Sequence, residues 1–439
     1  MRAEGDHLQS ALATAPAATG QRVLWALQHY RGGSGALNVP VLVRIREPID
    51  RDRLQAAIDA LVARHEALRT TFRRERGRLT LVLHPPRPLP VRVVDLSAAA
   101  DPDGESARVI SEETRTAIDP AQWPIRASAL KLAHADHVIC LNIHHLVTDD
   151  SSSAIIVRDF AAIYNSHPRD ASLPAVGWQY SQFAKWQARE SAGDARERHL
   201  RYWMAHLAGA SSPALPPAPV AGVARPSLTK TARADLDPDV IRALQDLARR
   251  ERSTFFTVLL SAFFAALADI TGQMDLAVSS LFSERSRPEL LNTVGYFVSP
   301  LVLRVRIDDG ATFSHLVRSA RATVLGAIEH QSLPYHLLPP HVVRSGSLRP
   351  DDLVLQVLSD PAVRGSFEVL HRPETDGTGR TFEMEIVVRP WNRAWTATAF
   401  YASGRFRDSW VKDLLASFVR AAVTMARNPQ LPVISVRRR

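Results

Sequence analysis

The stretch NIHHLVTDDSSS, Asn142 to Ser153, sets two adjacent histidines and two adjacent aspartates in front of a run of serines. A neutral imidazole, with a pKa near roughly 6.5, can take a proton from an attacking amine or hydroxyl at neutral pH. Neighbouring residues on a strand point to opposite faces, so His144 and His145 cannot both face one cleft unless the strand has ended. One would then face a reaction centre while the other packs inward. Asp149, across a turn, can hold the loop by pairing with an arginine or by capping the next helix. On these residues alone, a polar turn closing a buried strand is as good a reading as a catalytic centre. Metal binding by His134, His137, His144 or Asp149 is a weaker reading, because their directions diverge and no ligand spacing on a helix or cysteine pair accompanies them. No metal is expected.

Other catalytic patterns are missing from the sequence: there is no Gly-x-Ser-x-Gly elbow, phosphate loop or dinucleotide fingerprint. The run RGGSG (Arg31–Gly35) reads as a loop between the first helix and the first strand.

The elements around the histidines follow from hydrophobic spacing. Helices are predicted at Gln21–Tyr30, after Asp50 as N-cap, near Ser106–Ile118 and over Ser151–Ser166, whose first turn carries the histidine motif. Leu54, Ile58, Leu61 and Val62 mark the buried face of the second. Strands are predicted at VPVLVRI, on both sides of Gly77, at RASALKLA and at HVICLNI. A Pro/Ala-rich stretch, Ala208–Ser227, reads as a linker. Beyond it come DPDVIRALQDLARRE, a Phe-rich helix, MDLAVSSLF, VSPLVLRVRI, a helix over Thr312–His330, three further strands and a last helix at Asp408–Arg427. The mixed order points to an α+β fold. Two lobes are expected, 1–175 and 176–439, with the boundary before the helix containing YSQFAKWQ.

Composition narrows the class. With 439 residues, 46% hydrophobic, the chain can bury one large core or two medium ones. Its charge of +9 is carried almost entirely by scattered arginines, with no basic helix, so nucleic acid is not expected as a partner. The single cysteine, Cys140, rules out an internal disulfide and reads as a small buried thiol. The segment Thr254–Ile270 is short for a membrane span and ends near Asp269, which favours a buried core helix. No secretory signal is evident, and we expect a cytoplasmic protein with no membrane partner.

Taken together, the motifs resemble the condensation domains of nonribosomal peptide synthetases. RHEALRTTF (Arg64–Phe72) fits R-H-E-x-L-R-T-x-F throughout, and HHLVTDD fits H-H-x-x-x-D-G except that Asp150 stands where glycine is usual. YSQFAKW has Gln182 in place of an acid, and VGYFVSPLVLR has Ser299 and Pro300 in place of Asn-Thr. HQSLPYHLL resembles H-Q-x-x-P-F-E, and GQRVLWAL is a degraded copy of the opening motif. The resemblance spans nearly the whole chain.

It implies two chloramphenicol acetyltransferase-like lobes in a V, with a tunnel between them. In such enzymes an acyl group arrives as a thioester on the phosphopantetheine arm of a carrier protein, and an acceptor nucleophile enters from the other side. No bound cofactor is implied. By motif matching the catalytic-motif residues are His145, His144 and Asp149. His145 would act as general base or orient the nucleophile, with His144 and Asp149 as framework. Arg285 in SERSRPEL matches the family's arginine and would pair with Asp149. Asp150, Ser299, Tyr296, Trp25 and Tyr335 are expected to shape the substrate tunnel.

We read the chain as a free-standing condensation enzyme acting on a peptidyl or acyl carrier protein and a small amine or alcohol, giving an amide or an ester. Heterocyclisation is disfavoured by the retained histidine pair, and epimerisation by the absence of a recognisable epimerase glutamate motif. Two alternatives stand: a weakly catalytic domain that recruits a carrier protein or oxygenase, and a coenzyme A-dependent acyltransferase. Asp150 bears on the first. It caps charge at a helix start, contacts a cationic or hydroxylated acceptor, or narrows the tunnel.

Overall fold

The structure, a computed structural model, describes residues 13–30, 37–166, 171–216, 229–343, 348–358, 367–370, 382–391 and 394–433. The chain divides into two compact units. The first comprises 1–192 together with 283–298 and 361–375, and the second takes the remainder. It therefore crosses between units several times instead of breaking once after residue 175.

The first unit begins with β1 (Ala13–Pro16), α1 (Thr19–Tyr30), β2 (Asn38–Ile45) and α2 (Arg51–Arg64). It continues with β3 (Thr70–Glu75), β4 (Arg78–Leu83), β5 (Val91–Asp95), α3 (Pro102–Arg115), β6 (Ile125–Ala133) and β7 (Asp136–His144). Its last helices are α4 (Asp150–Asn165) and α5 (Tyr180–Glu190). Asp50 caps α2 by accepting from the backbone N–H groups of Asp52 and Arg53, and Leu54, Ile58, Leu61 and Val62 are buried beneath it. The β3–β4 hairpin turns through Arg76 and Gly77, both at positive φ (48° and 79°). Asp101 caps α3 and Pro102 opens it, which starts that helix four residues ahead of the predicted Ser106.

The second unit holds α6 (Asp194–Leu207), β8 (Thr229–Leu236), α7 (Pro238–Arg250), α8 (Phe255–Thr271), β9 (Asp275–Ser283), β10 (Val298–Arg306), α9 (Phe313–Glu329), α10 (Pro340–Val343) and β11 (Val354–Val357). After β12 (Phe367–Leu370), which returns to the first unit, come β13 (Met384–Trp391), β14 (Ala394–Ala402) and α11 (Asp408–Arg427). Its six strands run in the order β10-β9-β11-β13-β14-β8. The Phe-rich α8 is buried along most of its length in this unit's core. Among the described residues no single helix is long and apolar enough to cross a membrane.

In the first unit, β7 lies inside a five-stranded sheet of order β12-β2-β7-β6-β5. Every residue of β7 after Asp136 is buried, which is why its centre, VICL, reads as a continuous apolar run and not as an alternating one. Cys140 is buried there, and desolvation pushes its thiol up to about 12. β12 pairs antiparallel with β2, Phe367 opposite Ile45, and completes the edge from far along the chain. α5 also belongs to this unit and does not open the second: Tyr180, Phe183 and Ala184 are in its core. RGGSG lies outside the described residues, as does 217–227 of the expected linker. The part before it is packed, with Ser212 Oγ donating to the Arg349 carbonyl at 3.1 Å.

Candidate active site

The strand β7 ends at His144, and the chain enters a 3-10 turn, His145–Val147. That ending lets the two histidines part company. His144 is 1% exposed, and its Nδ1 accepts from the backbone N–H of Leu146 at 3.1 Å. Burial, with the neighbouring His145, pushes its pKa down to about 3, so it is a neutral ring that caps the turn. His145 is half-buried. Its Nδ1 lies 2.8 Å from the Thr148 carbonyl oxygen. A carbonyl only accepts, so Nδ1 carries the hydrogen and the neutral ring keeps its lone pair on Nε2. The ring of Tyr296 meets that of His145 edge-on, centroids 5.1 Å apart at 82°.

Asp149 both caps and pairs. Its Oδ1 accepts from Ser152 N at 2.7 Å at the start of α4. Arg285 grips it with two bonds, Nη1 to Oδ2 at 2.7 Å and Nη2 to Oδ1 at 3.0 Å, and Phe297 N donates to Oδ2 at 3.0 Å. Burial alone would raise this carboxyl's pKa, but the Arg285 charge and the hydrogen bonds from Arg285 and Ser152 outweigh it and hold the group below its ordinary value. A carboxylate so fully engaged serves as a hub and not as a proton donor. Ser152 extends the hub: its Oγ accepts from Arg285 Nη2 at 2.6 Å and Gly295 N at 3.0 Å and donates to Gly295 O at 2.8 Å. Gly295 has no room for a side chain, since a Cβ there would lie 1.8 Å from the buried ring of Tyr180.

RHEALRTTF braces this frame from behind. Arg64 Nε and His65 Nε2 reach one oxygen of the buried Asp159 on α4, at 2.8 and 2.9 Å. Arg158 holds its other oxygen at 2.8 Å. Glu66 accepts from Ser181 N at 2.7 Å, which fastens α5 to the same corner. Asp159, Ser152, Gln21 and Glu284 escaped the sequence reading. Asp159 had a usable signal, an acid inside an otherwise apolar helix face, and Gln21 and Ser152 lie inside GQRVLWAL and NIHHLVTDDSSS.

The remaining expected site residues lie as follows. Asp150 is the first residue of α4, exposed, with helical backbone. Nothing in that conformation requires glycine, and a negative charge at a helix start is favourable. Trp25 stacks on Phe72 in the first unit, centroids 6.1 Å apart. Ser299 and Tyr335 belong to the second unit. Ser299 is fully buried and donates to the Gln331 carbonyl at 2.7 Å, and the Tyr335 hydroxyl donates to Asp351. The structure thus brings together His144, His145, Asp149, Arg285 and Tyr296. Among the described residues no group of three or more His, Cys, Asp or Glu side chains is placed to hold a metal ion.

Glu284, next to Arg285, is buried, and among the described residues only the Gln187 amide donates to its carboxyl, at 2.7 Å. Burial pushes its pKa up to about 7 from 4.5, the Gln187 bond opposing weakly. A raised folded-state pKa stabilises fully below the unfolded value and loses that contribution as pH rises through about 7. The full swing is about 3 kcal/mol. Glu284→Gln keeps an acceptor for Gln187 and cannot ionise. Between pH 5 and pH 8 it is expected to lose less stability in urea melts than the parent, and equal losses would show that another group titrates.

Residues 12–437 match the family described as Condensation domain. Chondramide synthase cmdD of Chondromyces crocatus is 36% identical over 330 residues, which cover 73% of this chain and 8% of that protein. The first condensation domain of the calcium-dependent antibiotic synthetase, solved with substrate analogue 3a, superposes with a TM-score of 0.76 at 20% identity over 96% of this chain and 98% of that one. The X-domain in the complex of the X-domain and OxyB from teicoplanin biosynthesis gives 0.78 at 20% identity, covering 97% of each. The chain belongs to the condensation-domain family of nonribosomal peptide synthetases, an acyltransferase family, and has that family's chloramphenicol acetyltransferase-like fold.

Proposed function

We propose that this chain moves an acyl or aminoacyl group from the phosphopantetheine thioester of a separate carrier protein to the nitrogen or oxygen of a small-molecule acceptor. It would act in secondary-metabolite biosynthesis. The observation that carries this reading is the His145 ring, whose Nδ1 is committed to the Thr148 carbonyl so that Nε2 holds the lone pair. In this role Nε2 takes the proton of the attacking N–H or O–H as the new bond to the thioester carbon forms. The C–S bond then breaks, and the proton passes to the departing thiolate. Asp149, Arg285 and Ser152 hold the turn and take no proton.

The test offers the chain an acyl-loaded carrier with panels of amines and alcohols and follows the carrier by intact mass. Acyl loss that depends on both carrier and acceptor is the expected result. Tight carrier or oxygenase binding without turnover would overturn it in favour of a recruiting domain. Equal turnover of acyl-coenzyme A without a carrier would overturn it in favour of a soluble-thioester acyltransferase.

A further inference from the structure

We infer that Gln21 is a positioning residue for His145, acting through the turn that carries the histidine. This deepens the reading above and rests on it. Gln21 lies in the first turn of α1 and is 1% exposed. Its Nε2 donates to the Leu146 carbonyl at 2.8 Å, and its Oε1 accepts from Ala18 N at 3.0 Å. Leu146 directly follows His145, and its N–H is the one that His144 accepts. The peptide groups on both sides of Leu146 are therefore pinned, one by His144 and the other by Gln21.

The same end of α1 also reaches the other support of the ring. A Cβ at Gly20 would lie 2.7 Å from the Val298 carbonyl and 3.1 Å from Cε1 of Tyr296, the ring packed edge-on against His145. This close approach makes α1 a backstop for Tyr296. The helix start is itself anchored, because Thr19 N donates to Gln187 Oε1 at 2.7 Å and Gln187 Nε2 donates on to Glu284. Two of the contacts that orient His145 thus trace back to one buried helix end. A reacting group displaced by about 1 Å loses on the order of 10²-fold in rate, so a strut of this kind acts on turnover and not on affinity.

The test compares Gln21→Leu and Gln21→Glu with the parent, using the full chain. Gln21→Leu cannot donate to Leu146. It is expected to lower kcat about 10- to 100-fold for the carrier thioester and acceptor that turn over in the assay above, with KM changed less than about twofold. In ¹⁵N-histidine spectra its His145 ring should shift away from the pure Nδ1–H tautomer. Gln21→Glu can donate to Leu146 only when protonated, so its kcat relative to the parent should fall as pH rises from 6 to 8. An unchanged ring spectrum and kcat in Gln21→Leu, or a pH-independent ratio in Gln21→Glu, would overturn the inference. If Gln21→Leu does not fold, Gln21→Glu decides. If the parent turns over nothing, the proposed function has failed and the ring spectrum still decides the positioning role.

Discussion

Asp149→Ala is expected to lose about 3–5 kcal/mol of stability, because it leaves the Arg285 guanidinium buried without its partner. Arg285 is nearly buried, and among the described residues its other contacts are neutral: the Ser152 and Ser283 hydroxyls, the Thr293 carbonyl and the face of Phe297. The same change removes the N-cap of α4 and the acceptor for Phe297 N. Urea melts of Asp149→Ala, Arg285→Ala and the double variant measure the coupling. The double variant should be less unstable than the two single losses added together. Because the folded carboxyl sits below its ordinary pKa, the pair's contribution is present above the unfolded value of 3.8 and is lost as pH falls through the folded one. A soluble Asp149→Ala protein that is as stable as the parent yet inactive would sink the structural role given to this residue.

His145→Ala is expected to do the opposite. Its ring is half-buried, and its Nδ1 bond runs to the Thr148 backbone carbonyl and not to a charged partner, so its removal should cost stability on the scale of a neutral hydrogen bond, about 0.5–1.5 kcal/mol. The carrier-dependent acyl loss, by contrast, should fall about 10²- to 10⁴-fold, the usual contribution of a positioned general base. Parallel intact-mass assays and melting curves separate the two effects. Turnover within a few-fold of the parent would assign His145 to orientation alone or remove it from the chemistry.

Much of the site was legible because the motifs are short and their frame is local. The end of β7, the cap at Asp149 and the helix behind it follow from one run of residues, and a pairing with Arg285 was implied by resemblance. What the sequence hid were contacts made across long separations. Gln21 reaches Leu146 over 125 residues, and neither carries a local signal for the other. In the fold, the helices with strong periodicity were legible, and α11 was read at its observed limits. β5 and β8, which end their sheets, were not, because their mostly exposed or half-exposed residues show too weak an alternation to stand out. α6 was missed because only His199, Trp203 and Leu207 are buried along an otherwise charged helix. β12 is four residues whose place is set by pairing with β2.

The first unit borrows 283–298 from a stretch that follows most of the second unit's early elements. During synthesis, the histidine turn therefore leaves the ribosome well before its supports do. Asp149 emerges with its own helix, but the Arg285 guanidinium, the Phe297 amide and the Tyr296 ring follow only after more than a hundred further residues. Contacts of such separation are slow to close, because loop entropy is lost before they form. The nascent first unit must wait with an uncompensated acid at its centre until α6 to β9 have passed through the exit channel, and its sheet edge is closed by β12 later still. A pulse-proteolysis series on stalled chains should show protection of α4 beginning only once residue 298 is clear of the ribosome.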